Sequence, residues 1–471
     1  SGAGTGNLFR FFVERNLGLL SAVGSLNYVI PSSLLTDDGS ADLRKHILEK
    51  FSIISFDGFE NSKLIFPDIN RQTRFGLIQI ENSTAQKQEM KARFMLTDPE
   101  ALDSDKGVYR YHVDDLKRLS PKHLAYLEIS DVARQFPLLA KIHASHKPLD
   151  MKWLDFSQDL HATRDKALFL DIPGAGLISI YEGKKIGQFH FNRDPAVLWA
   201  EPAVLERRLS KRNVDRLLDD VMKQFAVSVH EMADPRKLTL SQMKGARLKN
   251  FLLWECGTDN LAAFVRPGHL FTRIFFRDVS NARNERTAVA AAAPAGTSCL
   301  HSIWASIPGK YLFEEENRVI RLAEFPPERL FFALGIINSI PFDWTARFSV
   351  SKHVTKSILF RIPFPQPDDS CLTAPGLFRD LARHAALLTL SNAPDFFPGL
   401  ADRFGITEDE TAMTEKRYDA VMAGASVIAA RIYGLSAGDM EIMLESFRVL
   451  KNQHPGFFAE LVKQSKERLP S

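Results

Sequence analysis

The sequence predicts an α/β segment followed by an α+β region and a helical C-terminal region. Between Asn7 and Ile80, helical and β-branched runs alternate at a density that describes helices laid against a sheet. From about residue 91 to 366, strand-like runs are interspersed with helical ones, and from Leu377 onward apolar residues recur at helical spacing. The expected division is therefore 1–90, 91–366 and 367–471.

Taken in order, Asn7-Leu8-Phe9-Arg10-Phe11-Phe12-Val13-Glu14 opens a helix that ends near Leu19-Leu20, and Gly24 breaks it. Leu26-Asn27-Tyr28-Val29-Ile30-Pro31 reads as a buried strand stopped by proline. Ser32-Ser33 then cap a helix with Leu43, Ile47 and Leu48 on one face. Phe51–Phe56 and Phe75–Ile80 are two further strands. These elements make an edge of an α/β sheet and not a whole one. The polar stretch from Glu81 to Lys91 suits a domain boundary. Met90–Leu96 is a strand, Pro121–Phe136 a helix, and 167–180 has strand character broken by Pro173-Gly174-Ala175-Gly176. Ala203–Val229 is an amphipathic helix of mixed charge, which describes a solvated face. Strands follow at Leu270–Phe276, Ala288–Ala293 and Val319–Leu322, then a helix at Phe331–Ile337. The C-terminal helices lie at Leu377–Leu390 and Tyr418–Tyr433; Gly434 ends the second, and Ser436 caps another through Phe447.

A chain of 471 residues has room for several domains, and its hydrophobic and charged fractions of 45% and 25% are ordinary for soluble globular proteins. The net charge of +3 is too small to argue for nucleic acid, so any such case rests on how charge is distributed. Cys256, Cys299 and Cys371 are far apart, which speaks against zinc or a disulfide framework. His143 and His146 lack a third ligand at metal spacing and read as core or solvated residues. With no leader and no bilayer-length apolar run, a soluble cytoplasmic protein without a membrane partner is expected. The glycine-rich Ser1–Gly6 has no strand before it to deliver a phosphate cradle, and reads as an entry segment.

Two runs carry cations without acids. One holds Arg236, Lys237, Lys244, Arg247 and Lys249; the other holds Arg347, Lys352, His353, Lys356 and Arg361. Such clusters suit phosphate contact, because neutralising phosphates releases counterions. Surface solubility accounts for them equally well. Arg273, Arg277 and Arg286 are spaced along the strands between the runs and join the candidates for DNA contact.

The run Asn7-Leu8-Phe9…Phe12…Gly24-Ser25-Leu26-Asn27-Tyr28-Val29-Ile30-Pro31-Ser32 resembles the distal half of the catalytic domain of γ-type DNA adenine-N6 methyltransferases. The likeness is to the large proteins of type IIG restriction–modification and of BREX- and DISARM-type phage defence. Leu43-Arg44…Leu48-Glu49 and Leu64-Ile65-Phe66-Pro67 continue it. Phe276-Arg277-Asp278…Asn284-Glu285-Arg286-Thr287 and Ile362-Pro363-Phe364-Pro365 are similar to that family's target-recognition region. The resemblance implies a partial methyltransferase sheet over 1–90, a target-recognition domain over 91–366, and double-stranded DNA as partner. It also implies that Phe66 stands where the family places an aromatic wall for a flipped adenine. A core residue at a strand end is the plainer reading of Phe66.

One departure bears on activity. The family's catalytic tetrapeptide, Asn or Asp followed by Pro-Pro-aromatic, is absent; the nearest run is Phe325-Pro326-Pro327-Glu328. S-adenosylmethionine (AdoMet) is thus expected to bind outside this chain, in a missing half supplied in cis or trans, and the chain alone is expected to be inactive. No metal is expected. A stand-alone module resembling type I specificity subunits is the alternative, although such a subunit has no use for the Asn7–Ile80 block. An interaction scaffold resting on the C-terminal helices has the least support.

Overall fold

Residues 7–82, 87–121, 123–129, 131–191, 198–231, 256, 261–280, 284–314, 316–350 and 353–470 are described by the computed structural model. Helix α1 (Leu8–Leu17) buries Val13 and Leu17 and leaves Leu8, Phe11 and Phe12 exposed. It leads into β1 (Ser25–Pro31), a single turn at Ser33–Thr36, and α2 (Ala41–Lys50). One helix is expected from Ser32, yet the chain breaks near Gly39. A Cβ there would lie 2.6 Å from Arg10 Nη1, so only glycine passes that side chain without displacing it.

Four strands complete the sheet: β2 (Ser52–Glu60), β3 (Arg74–Glu81), β4 (Glu89–Leu96) and β5 (Tyr109–His112). The order is β1-β3-β2-β4-β5. Strand β3 runs antiparallel to both β1 and β2, β4 parallel to β2, and β5 antiparallel to β4. The polar stretch expected as a boundary instead joins β3 to β4, so the expected division near residue 90 falls inside one sheet. Met90, Ala92 and Phe94, buried at alternate positions, hold β4 against the same core as β2. Strand β1 is an edge, and no strand pairs with its outer side among the described residues.

The helix expected over 121–136 starts only at α3 (Val132–Ser145), capped by Asp131. The preceding stretch stays non-helical because the tertiary structure takes its backbone. Arg44, fully buried in α2, donates to the carbonyls of Leu34, Asp37, His123 and Leu124 at 2.7–3.1 Å. The Tyr111 hydroxyl donates to the Leu127 carbonyl at 2.8 Å.

The middle of the chain is a set of small sheets. Strands β6 (Phe156–Ser157), β7 (Ile178–Tyr181), β8 (Ile186–Gly187), β9 (His190–Phe191) and β10 (Leu198–Ala200) precede the long helix α4 (Pro202–Glu231). After it come β11 (Arg273–Arg277), β12 (Ala290–Ala293), β13 (Thr297–Cys299), β14 (Ile303–Ser306), β15 (Gly309–Glu314) and β16 (Val319–Glu324). They pair as β12-β11-β14-β6, β10-β7-β13, and the hairpins β8-β9 and β15-β16. Leu217 and Val221 of α4 pack on Tyr311, Phe313 and Ile320 of the last hairpin.

The expected helical C-terminal region is present. Helices α5 (Pro327–Ile337) and α6 (Ile340–Arg347) are almost wholly buried. Between them Asn338 reads like an extra strand residue: its amide donates to and accepts from the backbone of Ala290 in β12 at 2.9 and 3.0 Å. Around them pack α7 (Leu377–Asn392), α8 (Glu415–Ile432), α9 (Ala437–Leu444), α10 (Arg448–Gln453) and α11 (Pro455–Arg468). Gly434 takes the left-handed conformation (φ +70°) after α8, and Ser436 caps α9 with Asp439. That helix stops at Leu444, short of the expected Phe447. One hydrophobic cluster reaches from Val13 to Leu469, so the opening sheet and the last helix share a core. No single helix among the described residues is long and apolar enough to cross a membrane.

Candidate nucleic-acid interface

Phe66 sits in the loop from β2 to β3, and a buried asparagine gives that loop its shape. The Asn61 Nδ2 donates to the carbonyls of Phe66 and Ile69 at 2.9 and 2.8 Å, while its Oδ1 accepts the Phe66 N–H at 2.9 Å. Leu64 turns the chain through the left-handed region at φ +57°, an uncommon place for a branched residue. As a result Phe66 is 37% exposed. Its ring meets Phe75 edge-on at 4.8 Å, and Phe75 stacks on Phe59 at 5.5 Å. The ring is braced from below and partly open to solvent, unlike the strand-end core residue of the plainer reading.

The first acid-free run, with Arg236, Lys237, Lys244, Arg247 and Lys249, lies outside the described residues. So does Lys352. The rest of the second run lacks acids in sequence but not in space. Arg347 Nε pairs with Asp343 at 2.9 Å, His353 Nδ1 with Asp278 at 2.8 Å, and Lys356 Nζ with Asp155 at 2.5 Å. Arg361 pairs with Asp38, and burial pulls its guanidinium down to about 10. Lys356 keeps about a third of its side chain exposed and lies over the Phe360 ring.

The three strand arginines divide. Arg273 is buried and grips Asp159 with both terminal nitrogens, at 3.0 and 2.8 Å, and Ser298 braces the same carboxylate. Burial disfavours both charges, but the partnership outweighs it, holding Arg273 above and Asp159 below their ordinary ranges. Arg286 is likewise buried, with Nε on Asp343 at 2.8 Å and Nη2 on the Asn338 carbonyl at 2.6 Å. These two arginines are taken up by the fold and not presented at its surface. Arg277, at the end of β11, is only partly buried and makes no ion pair among the described residues. It lines an open cleft.

Among the other sequence candidates, His146 Nε2 lies 3.1 Å from the Ile432 carbonyl, and Cys299 is buried, which pushes its thiol well up. No group of three His, Cys, Asp or Glu side chains among the described residues is arranged to hold a metal ion. Two features escape sequence reasoning. Asn61 directs the Phe66 loop, and Asp278 receives both the Trp304 indole at 2.9 Å and His353. Asp278 stands inside the stretch that carries the family resemblance, but its partners, remote in sequence, gave no signal of its role.

No family model matches the chain, and no curated protein matches it. Among solved structures it is similar to the type IIL restriction-modification enzyme MmeI in complex with DNA (8% identity, 94% of this chain, 51% of that one, TM-score 0.42). It is also similar to the type IIG restriction endonuclease BpuSI (12%, 98% and 50%, TM-score 0.33) and to the DrdV–DNA complex (10%, 99% and 52%, TM-score 0.37). The chain spans about half the length of each of these three structures.

Proposed function

We propose that this chain is the DNA-recognising portion of an adenine-N6 DNA methyltransferase of the restriction–modification or phage-defence kind. The observation that carries the reading is the opening sheet: no strand among the described residues pairs with the outer side of β1, and its β2–β3 loop holds Phe66 outward on an aromatic stack. A sheet bare on one side accepts further strands, and a braced aromatic at a loop is what a flipped base needs to stack on. The Asn7–Pro67 resemblance supplies the reaction class.

AdoMet does not fit the described residues. The turns leading from strand to α-helix, at Ser32, His112–Val113, Glu201 and Phe325–Pro326, carry no glycine to bring backbone close to a ligand. Cofactor and catalytic tetrapeptide are assigned to a missing half, in cis or trans. Double-stranded DNA is assigned to the middle region, with Lys352, Lys356 and the 236–249 cations as phosphate contacts.

The test pairs two measurements. Calorimetry on the isolated chain shows no tight AdoMet binding, and tritiated-methyl transfer to duplex DNA appears only once a half bearing Asn-Pro-Pro-aromatic is joined or mixed in. Micromolar AdoMet binding by the chain alone, or no transfer by the completed enzyme, overturns the reading.

A further inference from the structure

The cleft beside Arg277 lies where three remote parts of the chain meet: the β8–β9 hairpin, the segment at 284–289, and helices α7, α8 and α10. Its volume of about 620 Å³ is that of a ligand site. Among the described residues, cations outnumber acids in its lining. Arg277 lines it with no ion pair among the described residues. Behind it Asp343, fully buried, serves two arginines at once, Arg286 at 2.8 Å and Arg347 at 2.9 Å. Arg286 also lines the cleft; although 95% buried, it has no acceptor for its Nη1 among the described residues. The single acid in the lining, Glu285, pairs with His454 at 3.2 Å.

Neutral donors add to this. Asn392 Nδ2 donates to the Tyr418 hydroxyl at 3.0 Å, which leaves the hydroxyl hydrogen free to donate in turn. Burial lowers Arg277 from its usual range but leaves it a cation at neutral pH. A cation with no ion pair among the described residues, a buried guanidinium nitrogen with no acceptor among them and a free hydroxyl donor, in one concave site, call for an anion with several acceptor oxygens. A phosphate group offers three or more.

We propose that this cleft binds a phosphate-bearing ligand, with Arg277 as the contact residue and the Arg286 guanidinium behind it. The phosphate comes either from a nucleic-acid backbone laid across the cleft or from a free nucleotide. The nucleic-acid source rests on the DNA reading above, whereas the free-nucleotide source does not.

The test uses the full chain with three probes at low salt: adenosine monophosphate, adenosine, and a short DNA duplex. The monophosphate binds and adenosine does not. Arg277→Gln weakens the monophosphate by about tenfold or more, as loss of a charge-assisted hydrogen bond implies, and Arg277→Lys recovers part of it. Because Arg277 has no ion pair in the described fold, the Gln variant melts with the wild type. If duplex displaces the monophosphate and Arg277→Gln weakens both, the source is the backbone; if duplex neither displaces it nor feels the substitution, the source is a free nucleotide. Equal binding of adenosine and its monophosphate, or an Arg277→Gln variant that binds every probe as wild type does, overturns the site. Duplex binding with no monophosphate binding and no effect of Arg277→Gln sinks this inference alone. Monophosphate binding without duplex binding sinks the DNA reading alone.

Discussion

Phe66 and Gly76 show how single residues set the opening sheet. Phe66 gains from its edge contact with Phe75, a pair of the kind that contributes about 0.5–1.5 kcal/mol. Phe66→Ala is therefore expected to cost roughly 1 kcal/mol of stability, well below the ~3–5 kcal/mol of a core phenylalanine. In the completed enzyme the same change removes a stacking face of about 1–3 kcal/mol, so methylation slows by roughly tenfold, while Phe66→Trp keeps most of the rate. Urea melts and methylation rates on both variants check this. An Ala variant that melts like a core deletion, or methylates normally, removes Phe66 from the base-stacking role. Gly76 is the opposite case. It lies opposite Gly58 of β2, and a Cβ would overlap the Phe56 ring, which is fully buried. Gly76→Ala is expected to destabilise by about 1–3 kcal/mol through overpacking, whereas Phe56→Leu combined with Gly76→Ala recovers part of the loss in the same melts.

Among elements, the strand edges and the cationic runs behave differently from their sequence signals. Short apolar and β-branched runs made β1, β2, β3 and β4 legible, but β1, expected as a buried strand, is an edge that buries Ile30 and leaves Val29 exposed. The same reasoning placed α7 and α8, whose apolar stripes face one core, and the Gly434 and Ser436 stops, which follow from backbone geometry alone. What sequence could not reveal was pairing at a distance. The 121–131 stretch has helical spacing, yet Arg44 and Tyr111 claim its carbonyls. The 347–361 run lacks acids locally, yet Asp38, Asp155 and Asp278 reach it from more than 70 positions away. The cleft at Arg277 is assembled from remote parts of the chain, none of which signals the others. A consequence for DNA binding follows at this scale. Lys356 already holds Asp155, so Lys352→Ala with Lys356→Ala is expected to flatten the log-affinity against log-salt slope by about one unit, near the 0.7–0.9 of a single phosphate contact. Duplex titrations across a salt series check it, and an unchanged slope assigns both lysines to a bystander surface.

The molecule as a whole carries a pH dependence in its buried and half-buried histidines. His143 is pushed down to about 4, and His146, His269 and His384 are also lowered, in each case chiefly by burial. A histidine kept neutral by the fold binds its proton more readily when unfolded. Its stabilisation is therefore whole above the ordinary value of 6.5 and is lost as pH falls from there toward 4. His143 alone is expected to cost ~2 kcal/mol by about pH 5. Urea midpoints should drop between neutral pH and pH 5, and His143→Gln should flatten that drop; a flat profile for the wild type contradicts it. The bare strand β1 has another effect on the whole molecule. Its outer backbone donors and acceptors form a ladder with no strand partner among the described residues, flanked by Val29 at 55% exposure and by Leu8, Phe11 and Phe12 of α1. In the isolated chain that ladder is adhesive, and two copies can dock edge to edge across it. Sedimentation should show self-association that rises with concentration and disappears in Val29→Lys, so the colloidal behaviour of the purified chain reports directly on whether its sheet is closed.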